Sequence, residues 1–110
     1  MDANNLAVVR GIVTGVPHTR RLRSGEAVIE FVVATRSEGR NAGVPVVASG
    51  AAAVGAGDQV VVLGHVRQRF FRADGVTRSR TELVAGQVFG AGRRRAVAEA
   101  LAAAAELLAP

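Results

Sequence analysis

The segment "GHVRQRFFRADGVTRSRTEL", Gly64 to Leu83, decides how this chain is read. It sets five arginines and two adjacent phenylalanines around an Asp-Gly pair, in a protein with four phenylalanines and no tyrosine or tryptophan. Asp-Gly between β-rich runs predicts a tight hairpin. One strand is therefore expected from about Asp58 to Phe71 and the next from about Val76 to Phe89. Side chains alternate across a strand, so Val60, Val62, Gly64 and Val66 share a face expected to be core, and His65, Arg67, Arg69 and Phe71 share the other. Phe70 falls on the inward phase and is expected in the core. Arg78 and Arg80, two residues apart on the following strand, share a face and widen the basic patch. Guanidinium groups in line with an aromatic ring suit a single nucleic-acid strand, because cations track phosphates while a ring stacks on a base. The competing reading is an ordinary solvated β face.

Composition bounds the possibilities around that segment. The chain's 110 residues suffice for one domain with a modest core. Hydrophobic residues make up 49% of it, much of this alanine, so Val, Leu, Ile and Phe must supply the core. With no cysteine, disulfides, thiolate chemistry and cysteine-based zinc sites are excluded. The start "MDANNLAVVRG" lacks the pattern of a signal peptide and reads as mature cytoplasmic protein. The most apolar run, "AGVPVVASGAAAVGAG", is broken by Pro45 and several glycines and does not read as a membrane span. A formal net charge of +5 and an isoelectric point near 11.6 favour a polyanionic partner such as nucleic acid. A GC-rich genome, which enriches Arg over Lys, is the plainer explanation of the same charge.

The rest of the chain reads mostly as strand. "NLAVVRGIVTGV", Asn5 to Val16, is bounded by Pro17, and Glu26 to Arg36 alternates with Ile29, Phe31 and Val33 on one side. "PHTRRLRSG" between them reads as a basic loop, and "SEGRNAG" as an exposed loop before a short third strand, Val44 to Ser49. "GAAAVGAGD" is at best one weak helical turn. Five strands in this order form an OB-fold, a Greek-key barrel, assigned to residues 1–90. From Arg93 to Ala109 strong helix formers take over, with Val97, Leu101, Ala104 and Leu108 at roughly helical spacing. This C-terminal helix is expected to pack within the protomer or an oligomer.

Two ordered blocks resemble the bacterial single-stranded DNA-binding proteins. In "GIVTGVPHTRRLRSGEAVIEFVVA", Gly11, Pro17, Arg20, Ser24, Gly25, Ala27, Val28, Phe31 and Ala34 lie where the family pattern has them. "GDQVVVLGHVRQRFFRADG" followed by "TELVAGQV" matches the second. The resemblance covers Asn5 to Phe89 and implies a homo-oligomer, tetramer or dimer, that binds single-stranded DNA without sequence preference in replication, repair or recombination, in the cytoplasm at the nucleoid. It assigns Arg67 and Arg69 to DNA binding, Phe71 to base stacking and Arg20 to a usually basic position. By chemistry alone, Arg21, Arg23 and Arg72 join as nearby loop cations and His65 as a minor contact.

The departures from the family pattern are specific. "RSEGRNAGVPVVASG" holds no aromatic residue, with Gly43 and Ser49 near the places where the family stacks bases. Each stack contributes roughly 1–3 kcal/mol, so weaker and more electrostatic binding is expected. The chain stops at "ELLAP", without the acidic, Phe-tipped tail through which the family recruits repair enzymes. Both losses fit a short secondary paralogue or a phage or mobile-element version. A primosomal replication protein of the N type and an OB-like structural module without nucleic-acid binding are the alternatives. An enzyme is not expected: His18 and His65 are isolated, neither metal-ligand spacing nor a catalytic triad is apparent, and no cofactor is implied.

Overall fold

A computed structural model describes residues 4–109. The first three residues, which include the start read above as mature and the beginning of the 1–90 assignment, lie outside the described residues. Five strands and one helix follow in order: β1 (Ala7–Arg21), β2 (Ala27–Ser37), β3 (Arg40–Ser49), β4 (Gln59–Ala73), β5 (Val76–Gly90) and α1 (Arg94–Leu108). The strands close into a barrel in the order β1-β2-β3-β5-β4, with β3 and β5 parallel through Val46–Leu83 and Val47–Val84 and every other pair antiparallel. This is the OB-fold expected, with a C-terminal helix.

Three local expectations are corrected. β1 does not end at Pro17. Its pairing with β2 breaks between Thr14 and His18, where Gly15 has φ +73°, and then resumes with His18 opposite Glu30 and Arg20 opposite Val28. Proline has no N–H to give a ladder and is tolerated where the ladder is interrupted. The expected basic loop is therefore largely strand, and only residues 22–26 turn. In "SEGRNAG", Glu38 and Gly39 both take positive φ, 54° and 74°, which makes a two-residue hairpin turn with Ser37 opposite Arg40. The expected loop is thus the tip of a hairpin, and β3 starts at Arg40. After Ser49 the chain turns without forming a helix.

The barrel interior is built from Val13, Ile29, Phe31, Val33, Val46, Ala48, Val60, Val62 and Leu83. A second cluster lies on the outside of the wall, where α1 lays Ala100 and Ala104 over Val61 and Leu63, flanked by Leu6, Phe89 and Val97. The helix thus docks on its own barrel. The buried stripe runs through Ala100 and Ala104, while Leu101 and Leu108 of the expected stripe stay 40% and 49% exposed. Packing must hold this helix in place, because its first turn contains no acidic residue and its N-cap, Arg93, makes no side-chain cap bond.

The wall ends partway along β4. β1 pairs with β4 from Gln59 to Gly64, and there the ladder stops. The Asn5 side chain closes it: its Nδ2 donates to the Val66 carbonyl at 2.8 Å, and the Val66 N–H donates to its Oδ1 at 2.9 Å. Beyond this point β4 and β5 continue alone to the turn at Asp74 and Gly75, as a two-stranded arm. Val66 and Phe70, both expected in the core, are 46% and 66% exposed, since no second layer covers the inward phase of the arm.

Gly64 marks the junction. A Cβ there would meet the Val84 carbonyl oxygen at 1.9 Å, and backbone cannot move aside cheaply. Overpacking of this kind costs about 1–3 kcal/mol. Gly64→Ala is therefore expected to lower Tm by about 5 °C or more. Gly90→Ala, where nothing lies within 4 Å, leaves Tm within about 2 °C of the parent in the same scan.

Candidate nucleic-acid interface

The register of the β4–β5 hairpin decides which charges meet. A two-residue turn at Asp74 and Gly75 sets Ala73 opposite Val76, and pairing proceeds unbroken to Phe71 opposite Arg78, Arg69 opposite Arg80 and Arg67 opposite Glu82. Directly opposed residues point to one side of the sheet. Arg67, Arg69, Phe71, Arg78, Arg80 and Glu82 therefore share one face. Period-2 alternation groups Arg67, Arg69 and Phe71 on one face, as found, whereas Glu82 joins them only through the hairpin register.

Glu82 organises the middle of this face. Its side chain is 1% exposed, and its Oε1 accepts from Arg67 Nη2 at 2.7 Å. Arg69 Nε lies 3.5 Å from the same oxygen, close enough for charge attraction, yet is buried without a hydrogen-bond partner. The Arg69 guanidinium sits 5.6 Å from the centre of the Phe71 ring, in cation–π range. Buried carboxylate, two arginines and ring thus form one contacting series along β4 and β5.

The remaining candidates divide by position. Arg20, on β1, donates from Nε to the Glu30 carboxylate. It also shares with Arg67 a cleft of about 310 Å³ floored by Val28, Val47 and Val84. Arg80 shares a neighbouring hollow with His18, Glu30 and Val32. Cations from β1, β4 and β5 thus border these two hollows, with Glu26 and Glu30 among them. His65 is half-buried and in phase with Arg67, nearer the barrel wall. Arg21, Arg23 and Arg72 do not join the series. Arg21 donates to the Gly25 carbonyl at 2.9 Å and Arg72 to the Gly75 carbonyl at 2.8 Å, so each braces a turn. Arg72 is a strand residue on the opposite phase from Phe71, and Arg23 is exposed in the turn between β1 and β2. Among the described residues, no group of three or more His, Cys, Asp or Glu side chains could hold a metal ion.

Barrel and face together define an OB-fold protein with a basic, aromatic-bearing strand surface. No family model matches the chain, and no curated protein matches it. Solved structures do match. One is the Plasmodium falciparum SSB in complex with ssDNA, 19% identical, with a TM-score of 0.63 over 77% of this chain and 90% of that one. At this identity the likeness is one of fold.

A buried carboxylate stripped of its cations is costly, on the order of 3 kcal/mol or more. Arg67→Ala or Arg69→Ala alone leaves Glu82 one guanidinium. Each single variant is expected to lose less than about half of that figure in a urea melt, and the double variant to lose more than the two singles together.

Proposed function

We propose that this protein binds single-stranded DNA without sequence preference, laying the strand along the outer face of β4 and β5. The observation that carries the reading is the Arg67, Arg69 and Phe71 series, with Arg78 and Arg80 opposite it. Guanidinium groups would track the phosphates, and Phe71, 37% exposed, would offer its ring to a base. A duplex hides its bases in the stack and could use only the charges. The shared fold with an SSB whose structure contains ssDNA supports the same reading.

The resemblance to the bacterial single-stranded DNA-binding proteins extends the proposal to a role in replication, repair or recombination, carried out as a homo-oligomer at the nucleoid. Val8, Ile12 and Val16 of β1, all exposed, are consistent with burial against further copies. Gly43 and Ser49 offer no stacking surface on β3, so the face relies on one ring and many charges. Binding should accordingly fall steeply with salt.

Fluorescence anisotropy with end-labelled oligo-dT, set against a duplex of equal length over a salt series, tests this. The expected outcome is a single-strand preference that persists as salt rises. Equal binding to both, abolished by salt, would reduce the face to a basic surface. Phe71→Ala is expected to weaken oligo-dT binding about tenfold or more at every salt concentration without changing the salt slope. Phe70→Ala, on the opposite side of the arm, leaves binding within about twofold. Equal losses in the two variants would contradict the assignment of the face.

A further inference from the structure

We propose that Glu82 is the positioning residue of the single-strand face. It fixes Arg67 and Arg69, orders Phe71 through Arg69, and leaves the two arginines and itself one net positive charge to share. The inference rests on reading this face as a single-strand site.

Free arginine side chains on a strand sample many rotamers, and that freedom is lost when they grip a phosphate. Here the loss is already incurred. Arg67 Nη2 donates to one oxygen of a carboxylate with a side chain 1% exposed, and Arg69 Nε lies 3.5 Å from that oxygen, within reach of its charge. Each guanidinium keeps its other N–H donors for a ligand. The Arg69 guanidinium lies 5.6 Å from the Phe71 ring centre, and this cation–π attraction favours the ring's observed orientation. Preorganised groups bind with a smaller entropic penalty.

The same carboxylate sets the charge. Any polyanion, duplex or single strand, responds to net charge, whereas only an unstacked base can use the ring. By cancelling one arginine charge while holding the geometry, Glu82 weakens general polyanion binding and keeps what discriminates a single strand. The arginines are consequently not independent phosphate contacts, because removing either one leaves the group neutral.

The test compares the full-length parent with Glu82→Gln, which keeps the side-chain shape and an acceptor oxygen but not the charge, and with Glu82→Gln/Arg67→Ala and Arg67→Ala. Each is titrated with oligo-dT and with duplex over a salt series, after circular dichroism confirms folding. For oligo-dT, Glu82→Gln is expected to steepen the slope of log K against log salt by about 0.7, one added phosphate neutralised. It should also bind duplex more tightly and lose several-fold in single-strand preference. Arg67→Ala makes the slope shallower by about 0.7. The double variant has the parent's charge and is expected to regain the parent's slope, but not its preference, which a purely electrostatic role would restore. Glu82→Gln with the parent's slope and preference overturns the role of Glu82 alone. A parent without single-strand preference overturns the reading of the face as well. Should Glu82→Gln not fold, ¹⁵N relaxation of the arginine Nε groups in the free parent decides the matter. Arg67 and Arg69 are expected to be rigid on the picosecond–nanosecond timescale and Arg78 mobile. Equal mobility of all three overturns the proposal.

Discussion

The antiparallel pairing of β1 with the first part of β4, ending at Ala7 and Gly64, is the constraint on which the rest of the structure depends. It divides one 15-residue strand into two environments. Up to Gly64, β4 is barrel wall, with Val60 and Val62 in the interior and Val61 and Leu63 under α1. Past the Asn5 cap on Val66, no second layer covers its inward phase, and Val66 and Phe70 stand exposed. The buried half anchors the arm, and the arm carries the cations. A strand buried on both faces needs valine and leucine at every position, and "VVVL" at 60–63 supplies them.

The arm can carry like charges in close register only because β5 returns an acid at the right place. Arg69 and Arg80 are directly opposed, and like charges opposite one another destabilise a ladder. Two pairs further in, on the same face, the ladder brings Glu82 against Arg67, and Arg69 Nε lies 3.5 Å from the same oxygen. Burial strengthens this attraction, because the carboxylate is shielded from water while the guanidinium groups remain partly exposed. A solvent-exposed acid at that position would contribute far less.

Much of this was legible in the sequence where local chemistry is decisive. Asp74-Gly75 is a hairpin signal that needs no tertiary context, and period-2 alternation placed Arg67, Arg69 and Phe71 on one face. The hairpin also makes Glu82 findable, because counting outward from a two-residue turn lands Glu82 opposite Arg67. What failed was non-local. Pro17 looks like a strand end unless the break in the β1–β2 ladder is known, and Glu38-Gly39 is a weaker turn signal than Asn-Gly or Asp-Gly. Phe70 reads as core on phase alone, yet its fate is set by where β1 stops. Val61 and Leu63 sit on the outward phase and are buried only because a helix more than thirty residues later in the chain returns to cover them.

The missing aromatics on β3 belong to the same physical picture. Gly43 lies on the outer side of the barrel, opposite Ala34, and a Cβ at that position would come within 3.2 Å of Val32 Cγ1. Val32 in turn lines the hollow that it shares with Arg80 and His18. A ring at residue 43 would therefore need Val32 to shift, and with it the surface beside Arg80. The aliphatic floor of Val28, Val47 and Val84 beneath Arg20 and Arg67 offers bases an apolar surface, but not the polarisable plane of an aromatic. On the proposed reading, base contacts there would follow buried area alone and discriminate little between bases. The face is left with Phe71 as its one aromatic ring and with arginines paired to Glu82 and Glu30. On the single-strand reading proposed above, discrimination against duplex would depend on how firmly that one ring is held.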